Sequence, residues 1–174
     1  HASGADLDQS DGQGCWNAAR TRAAARVADW LATSPTGVAA GGVLLIGDLN
    51  SYAKEDPVRT LEARGYANLV ARFVGDAAYS YVFRGEAGNL DHALATPPLA
   101  ARVKAVRFWH INADEPLALQ PVPDYKTRTR RSAYYAPDAY RSSDHDPVVI
   151  DVALNDTGPQ PASGTNRAPR SSVE

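Results

Sequence analysis

The chain has 174 residues, of which 44% are hydrophobic and 22% are charged, and this composition is typical of one globular domain. Its formal net charge of −2 excludes a surface that is basic throughout, so contact with nucleic acid would need a local basic patch or a bound cation. No apolar run approaches the roughly 18 residues that cross a bilayer, so we expect no membrane span.

The N-terminal region indicates a processed or truncated chain. The sequence contains no methionine, begins at His1, and has no apolar segment within residues 1–14 that would act as a signal peptide. We therefore expect any secretion signal to lie upstream. The single cysteine, Cys15, leaves two interpretations open: a buried thiol, or a residue whose disulfide partner precedes this chain.

The first predicted elements are a helix and a buried strand. After a polar loop over residues 1–14, Asn17 is the expected N-cap of a helix rich in Ala and Arg. This helix carries its apolar residues on one face: Val27, Trp30 and Leu31. The segment VLLIGDLN begins with an apolar run from Val43 to Ile46 that does not alternate, which predicts a strand buried on both faces.

The middle of the chain alternates between helix and strand signals. Asp56 and Pro57 predict a helix start, with Asp as the N-cap, and the helix should end at Gly65. Gly85 and Gly88 predict a hairpin between the first two of four later strands. Those strands are predicted at Tyr79 to Phe83, Leu90 to Leu94, Val103 to His110 and Val148 to Val152.

The remaining segments predict the domain organisation. Residues 112–143 contain four prolines and little periodicity, which predicts a long surface loop. Residues 1–154 are expected to form one unit, whereas 155–174 have the composition of a disordered tail or linker. The mixed order of helices and strands, with late strands in series, predicts an α/β or α+β fold.

Polar side chains occur within or at the ends of three predicted strands. Asp48 and Asn50 follow the first strand, Asp91 lies inside an apolar stretch, and Asp144 and His145 precede the last strand. Each motif alone is typical of a turn or a polar surface. The combination favours a site, because a half-buried carboxylate needs a partner and crowded carboxylates attract a cation such as Mg²⁺.

Three segments together resemble a known superfamily. GDLN at 47–50, YSYVFRGEAGNLDHAL at 79–94 and SSDHDPV at 142–148 resemble the second-half motifs of the endonuclease/exonuclease/phosphatase superfamily, in the order found in members related to deoxyribonuclease I. The phrases SGADLDQSDGQGCWN, YAKEDPV and FWHINADEP resemble a bacterial subfamily of extracellular endonucleases. The resemblance runs from about residue 3 to 154. It implies the C-terminal part of a four-layer α/β sandwich in a secreted bacterial nuclease that acts on DNA or RNA.

The resemblance also implies roles for individual residues. The reaction would be in-line attack of water on a phosphodiester, assisted by a divalent metal, Mg²⁺ foremost, with Mn²⁺ or Ca²⁺ as alternatives. Asp48 would orient and help deprotonate the water, and Asn50 would bind the phosphate or that water. His145 would contact a phosphate oxygen or transfer a proton, with its tautomer fixed by Asp91. Asp144 fits the position of a carboxylate that contributes to metal binding.

Other polar and aromatic residues leave two interpretations open. His92 should point away from Asp91 along the same strand, into the core or to the surface. The segment with His110, Asn112, Asp114 and Glu115 is either a second cation site or a hydrogen-bonded turn, and the turn is favoured. The tyrosines either stack on bases or pack in the core: Tyr52, Tyr79 and Tyr81.

The only concentrated basic region lies in the long loop. It is either a phosphate-binding patch beside the Asp144–His145 corner or a solvated loop without a partner. Its members are Lys126, Arg128, Arg130, Arg131 and Arg141. The four arginines are therefore candidate substrate-binding residues.

The superfamily's first-half motifs are not found in this sequence. They supply an Asn, a metal-binding Glu and, in the deoxyribonuclease I branch, a further histidine. We therefore expect an incomplete cation site and weak or absent activity of the isolated chain. We also expect an exposed apolar sheet face, which would leave the chain unstable, dimeric or completed by another chain such as the missing N-terminal half. Two other functions stay open: a phospholipid or sugar-phosphate phosphodiesterase, and a degenerate domain that only binds a partner. The presence of all five site residues argues against the degenerate domain.

Overall fold

The computed structural model describes residues 1–38, 41–122, 124 and 126–154. The helices are α1 (Asn17–Ala32), α2 (Asp56–Ala63), α3 (Leu69–Phe73), α4 (Pro97–Ala100) and α5 (Arg128–Ala133). The strands are β1 (Leu44–Asp48), β2 (Ala67–Asn68), β3 (Tyr81–Phe83), β4 (Glu86–Gly88), β5 (Asp91–Ala95), β6 (Val103–Phe108) and β7 (Val148–Val152). None of the helices in the described part of the chain is long and apolar enough to cross a membrane. The predicted tail, 155–174, lies outside the described residues.

The strands form antiparallel sheets, which confirms the predicted mixed α/β fold class. β5 lies between β1 and β2, β3 pairs with β4, and β6 pairs with β7. In the β1–β5 register, Asp48 lies opposite Asp91. An isolated bridge between Tyr81 and His145 joins the β3 hairpin to the segment before β7. The polar ends of separate strands therefore meet in one region.

The core is built around β5, whose two faces contact different clusters. Ala93 and Ala95 pack with α3 and β6, while Leu94 packs with α1 and α2 through Ala28 and Leu61. Full burial of a leucine side chain contributes roughly 2 kcal/mol. A strand buried on both faces needs an apolar, non-alternating sequence, and ALA in the DHALA segment meets that need.

The start and the apolar face of α1 differ from the prediction. The residue at the N-cap position is Trp16, in the left-handed conformation, and Asn17 is the first helical residue. The Asn17 amide donates instead to Asp56 Oδ2 at 2.7 Å, which joins α1 to α2. Val27 is 40% exposed and Trp30 60% exposed, whereas Ala28 is buried. The predicted apolar face was wrong for Val27 and Trp30, whereas Leu31 packs against the core cluster that contains Ala28 and Leu61.

Most other boundaries agree with the prediction to within two residues. α2 carries Pro57 in its first turn and is followed by Gly65 at φ 89°, although Glu55 rather than Asp56 occupies the N-cap position. The predicted hairpin was placed wrongly: it closes within 81–88, between β3 and β4. Arg84 and Gly85 both have positive φ, which suits a tight two-residue turn.

The loop over 112–143 is less irregular than predicted. It contains α5, where the Thr127 side chain caps the backbone N–H of Arg130, and its first residues are buried against Asp146. Cys15 is exposed, so the buried-thiol interpretation was wrong.

Candidate active site

Two carboxylates face each other across neighbouring strands. Asp48 on β1 is opposite Asp91 on β5. Asp48 accepts hydrogen bonds from the backbone N–H of Asn50 at 2.6 Å and from its side-chain amide at 3.2 Å. Asn50 adopts the left-handed conformation at φ 46°, which Asn tolerates better than most residues. Because like charges directly opposite each other repel, this corner of the sheet favours a cation or a polarised water.

Asp91 also holds the histidine of the last motif. His145 Nδ1–H donates to Asp91 Oδ2 at 2.6 Å, and the two side chains are only 22% and 14% exposed. The Tyr81 ring flanks the imidazole, with centroids 4.7 Å apart. A ring held through Nδ1 directs Nε2 away from the carboxylate. The fold thus brings together four of the predicted site residues: Asp48, Asn50, Asp91 and His145.

Ser80 aligns the two segments that carry this pair. Its hydroxyl oxygen accepts from the backbone N–H groups of Leu90 and Asp91, at 3.2 and 3.1 Å. Its carbonyl oxygen accepts from the N–H of Asp146 at 2.8 Å. The side chain is fully buried. Sequence reasoning missed this residue, because a serine just before a strand carries no signal of its partners.

A model of the endonuclease/exonuclease/phosphatase family matches residues 8–145, well over half of the chain. The chain belongs to this family. Its members are hydrolases that act on phosphate esters and generally use divalent metals. Searches among curated proteins and among solved structures gave no match.

The described residues offer single carboxylates, and no cluster of them, to the divalent metal that the family generally uses. Among the described residues, no group of three or more His, Cys, Asp and Glu side chains is arranged to hold a metal ion. A closed cage of the zinc type is thus absent from this part of the chain. Mg²⁺ keeps several waters and needs only one or two carboxylates, so Asp144, half-buried beside His145, fits such a role.

The loop after β1 is fastened to α1 by an arginine that sequence reasoning missed. Arg20 Nη1 donates to the carbonyl oxygen of Asn50 and to Ser51 Oγ, and it forms an ion pair with Glu55. Arg20 Nη2 donates to the carbonyl oxygen of Gln13 at 2.6 Å. These bonds fix the backbone that presents Asp48. One arginine in an Ala- and Arg-rich helix gives no sequence signal for such a role.

His92 supports the same loop from the core. It is 1% exposed, and its Nε2–H donates to the carbonyl oxygen of Ser51 at 2.7 Å, while Asn89 Nδ2 donates to its Nδ1 at 3.3 Å. Burial lowers the pKa of His92, although the bond to Ser51 opposes that shift. Both contacts are those of a neutral imidazole, with the proton on Nε2 and the lone pair on Nδ1. His92 therefore lies in the core, which is one of the two placements that the sequence left open.

The segment after β6 is a hydrogen-bonded turn around Asp146, which agrees with the favoured interpretation. Asp146 Oδ1 accepts three backbone N–H groups, from Ile111, Asn112 and Ala113. Asp146 Oδ2 accepts from His110 Nδ1–H at 2.7 Å. Nearby, Tyr79 donates to Asp114, and this hydrogen bond is the main reason that the pKa of Tyr79 rises to about 12.

The basic region divides into exposed and internal members. Arg141 is 3% exposed and donates to the carbonyl oxygens of Asn112 and Ala113, so its predicted place in an exposed substrate-binding patch is corrected. Arg128 and Arg130 are exposed on α5. Arg131 is also exposed and lines a cavity of about 390 Å³ together with Lys126 and three tyrosines, Tyr134, Tyr135 and Tyr140. Basic and aromatic side chains therefore lie together on one surface.

Proposed function

We propose that this chain carries the water-activating and proton-handling part of a metal-dependent phosphodiesterase. The observation that supports this most is the Asp91–His145 hydrogen bond of 2.6 Å, with Asp48 opposite Asp91 on the neighbouring strand. A carboxylate, an amide and an oriented imidazole in one place are the groups that hydrolysis of a phosphate ester needs. The family membership supports the same reaction class.

The proposed reaction is in-line attack of water on phosphorus. Asp48 accepts a proton from the attacking water, and Asn50 orients that water or a phosphate oxygen. His145 offers Nε2 to a non-bridging oxygen or to the leaving oxygen, and Asp91 keeps the ring in the required tautomer. Asp144 is the residue that would hold a divalent cation, Mg²⁺ foremost, which would supply positive charge to offset the charge of the phosphate.

We propose nucleic acid, DNA foremost, as the substrate. The exposed arginines of α5 and the tyrosines around the neighbouring cavity support this choice, because backbone phosphates bind basic groups and bases stack on aromatic rings. The subfamily phrases support a secreted bacterial endonuclease. A phospholipid headgroup has no bases that could stack on these tyrosines. Hydrolysis of a phospholipid is therefore the alternative outcome of the test.

We further propose that the upstream half of the domain completes the site. β1 has a partner strand on only one side within the described sheet. Ile46 on β1 is 53% exposed, and Trp30 on α1 is 60% exposed. An apolar edge of this kind fits a covering segment of the same domain. The resemblance assigns the main metal-binding glutamate to that segment.

The test is plasmid nicking with and without Mg²⁺, by this chain and by a longer chain that includes the upstream half. We expect strong nicking by the longer chain and little by this one. His145→Ala in the longer chain should abolish nicking, whereas Lys104→Gln, at an exposed position of β6, should leave it unchanged. Preferential hydrolysis of sphingomyelin over DNA would overturn the substrate assignment. Full activity of His145→Ala would overturn the mechanism.

A further inference from the structure

A cavity of about 390 Å³ lies in the segment that precedes the last strand. Its lining consists of residues 119–121, 126, 131, 134–138 and 140–142. Small-molecule sites in proteins have volumes of roughly 300–1,000 Å³. The cavity is therefore large enough for one small ligand, and the charges and rings of its lining decide which ligand it suits.

Arg141 is the buried cation of this lining, with 3% of the residue exposed. Its Nη1 donates to the carbonyl oxygen of Asn112 at 2.6 Å and to that of Ala113 at 3.3 Å. Nε is enclosed and has no hydrogen-bond partner, whereas Nη2 makes no hydrogen bond with the described residues but is not enclosed in this way. A guanidinium presents Nε–H and an Nη2–H along one edge, which matches two oxygens of a phosphate. Arg141 therefore holds the turn with one nitrogen and keeps the other two for an anion.

The cavity lining carries an excess of positive charge. It contains three cations, Lys126, Arg131 and Arg141, and one carboxylate, Asp138. None of the ion pairs within the described part of the chain includes any of these three cations. Arg131 Nε donates to the carbonyl oxygen of Lys126 at 3.3 Å, which leaves Nη1 and Nη2 to other partners. Because a buried charge without a counter-charge is costly, an anion that enters this cavity offsets the desolvation of Arg141.

Three tyrosines contribute flat apolar faces to the same lining: Tyr134, Tyr135 and Tyr140. They are between 43% and 75% exposed, and none of them belongs to an aromatic pair among the described residues. Nucleobases stack on aromatic side chains of this kind, and every base has a face that can do so. A base that enters a cavity has left the stack of a duplex, so the rings suit an unpaired nucleotide.

Asn112 connects the cavity to the proposed active site. Ser142, in the lining, donates its backbone N–H to Asn112 Oδ1 at 3.1 Å, and Asn112 Nδ2 donates to the carbonyl oxygen of His145 at 2.7 Å. The Asn112 carbonyl oxygen also accepts from Arg141, and the residue is 2% exposed. One buried side chain therefore holds both the cavity wall and the backbone of His145.

We propose that this cavity binds one unpaired nucleotide, with its phosphate on Arg141, Lys126 and Arg131 and its base against the tyrosines. This inference rests on the proposed function and adds to it a substrate class, single-stranded nucleic acid. A free nucleoside monophosphate offers the same phosphate and the same base, and the second test below separates these two sources. Charge-assisted hydrogen bonds hold the phosphate, while stacking accepts any base.

The first test measures binding without turnover, by calorimetric titration of this chain with 5′-deoxyadenosine monophosphate (dAMP) in the presence of a chelator. We expect dAMP to bind at least about tenfold more tightly than deoxyadenosine, which lacks the phosphate. Arg131→Gln should weaken dAMP binding about 10- to 100-fold, since a hydrogen bond to a charged group is lost. Arg128→Gln, an exposed change on α5 outside the lining, is the matched control and should have no effect. Equal affinity for dAMP and deoxyadenosine, or equal weakening by the two variants, would overturn the proposal.

Further variants locate the ligand. Arg141→Lys keeps a donor for the carbonyl oxygen of Asn112 but removes the Nε–Nη2 edge, so it should bind dAMP about tenfold more weakly, with its fold checked by circular dichroism. If this variant does not fold, Tyr135→Leu, at a 75% exposed position, takes its place and should weaken the binding of dAMP but not of inorganic phosphate. Unchanged dAMP affinity in the folded variant would exclude the contact. His145→Ala should bind dAMP as the wild type does, and a loss of binding there would refute the cavity as the site.

The second test separates a nucleotide within a strand from a free one. Fluorescence anisotropy, again with a chelator, would compare a labelled single-stranded oligonucleotide with the same strand in a duplex. We expect the single strand to bind at least about tenfold more tightly, and Arg131→Gln to remove most of this difference. Strand binding that Arg131→Gln leaves unchanged, with dAMP binding weakened, would assign the cavity to a free nucleotide and overturn the substrate class. A longer chain that cleaves no phosphodiester, while this chain still binds dAMP, would refute the proposed function alone.

Discussion

Asp91 contacts two site residues at once: it lies opposite Asp48 in the sheet register, and its Oδ2 accepts the Nδ1–H of His145 at 2.6 Å. Antiparallel pairing of β1 with β5 places the first carboxylate, and the bridge from Tyr81 to His145 places the imidazole. The site is therefore assembled by the pairing of strands that are distant in sequence.

Asp91→Asn should lower turnover by roughly 10³- to 10⁴-fold in the active longer chain, because an amide no longer enforces the imidazole tautomer. The fold should persist, since Asn has the same shape. Nicking rates and circular dichroism would check both points. A loss of less than about tenfold would contradict the proposed role of Asp91.

Asp144→Asn should raise the Mg²⁺ concentration needed for half-maximal nicking by at least about tenfold, because an amide is a poorer ligand than a carboxylate for a hard cation. A metal titration of the nicking rate would measure this shift. Asp138→Asn, an exposed change in the preceding loop, provides the control and should leave the titration unchanged. Identical titrations for both variants would exclude Asp144 as a ligand.

Arg20→Ala should destabilise the fold by about 3 kcal/mol, because it leaves Glu55 buried without its ion pair and frees the loop after β1. Arg22→Ala is the matched control on the same helix. Its side chain is 69% exposed and its Nη2 lies 3.9 Å from Asp6 Oδ2, so the loss should be under about 1 kcal/mol. Urea unfolding would measure both free energies. Similar losses would show that Arg20 does not fasten the loop.

His92 should make the protein less stable in mild acid. Burial lowers its pKa in the folded state below the usual 6.5, so below pH 6.5 the unfolded chain binds more protons. The stability that the neutral His92 contributes is therefore fully present above pH 6.5. It is lost as the pH falls towards the pKa of His92 in the folded state, by at most about 1.4 kcal/mol per pH unit. The difference in the free energy of unfolding between about pH 7.5 and pH 5.5 should be smaller for His92→Gln than for the wild type. An unchanged difference would contradict this assignment.

Gly88→Ala should displace Tyr52. A Cβ at Gly88 would overlap Tyr52 Cε1, so the half-exposed ring must move away. We expect a cost of about 1 kcal/mol. In a Tyr52→Ala background the same change should cost nothing, which a double-mutant cycle of unfolding free energies would detect. Gly41→Ala, with only Arg102 Nη1 at 3.8 Å, is the control.

The sequence predicted the local elements where short-range physics decides them. β5 and β7 were expected almost at their observed bounds, because apolar runs of strand length need burial. Pro57 and Gly65 marked the ends of α2, because proline suits the first helical turn and glycine suits the left-handed conformation after the last one. The α1 face was misjudged at Val27 and Trp30 because the partner of a helix face is a tertiary property, and alanine gives a weak hydrophobic signal.

The candidate site shows the same division. The motifs around Asp48, Asp91 and His145 were recognisable in the sequence, since they place polar groups at the ends of apolar strands. The contributions of Arg20 and Ser80 were not, because their partners lie many residues away. Arg141 was misplaced in an exposed patch for a related reason: composition cannot show that a guanidinium has backbone carbonyls to bind.

The sequence by itself therefore determined the fold class, the family and the residue types available for chemistry. Only the tertiary structure decided that Asp91 lies opposite Asp48 and binds His145, and that His110 stacks on Tyr79. The physical reason is that periodicity and turn preference act within a few residues, whereas strand register and side-chain hydrogen bonds join distant segments.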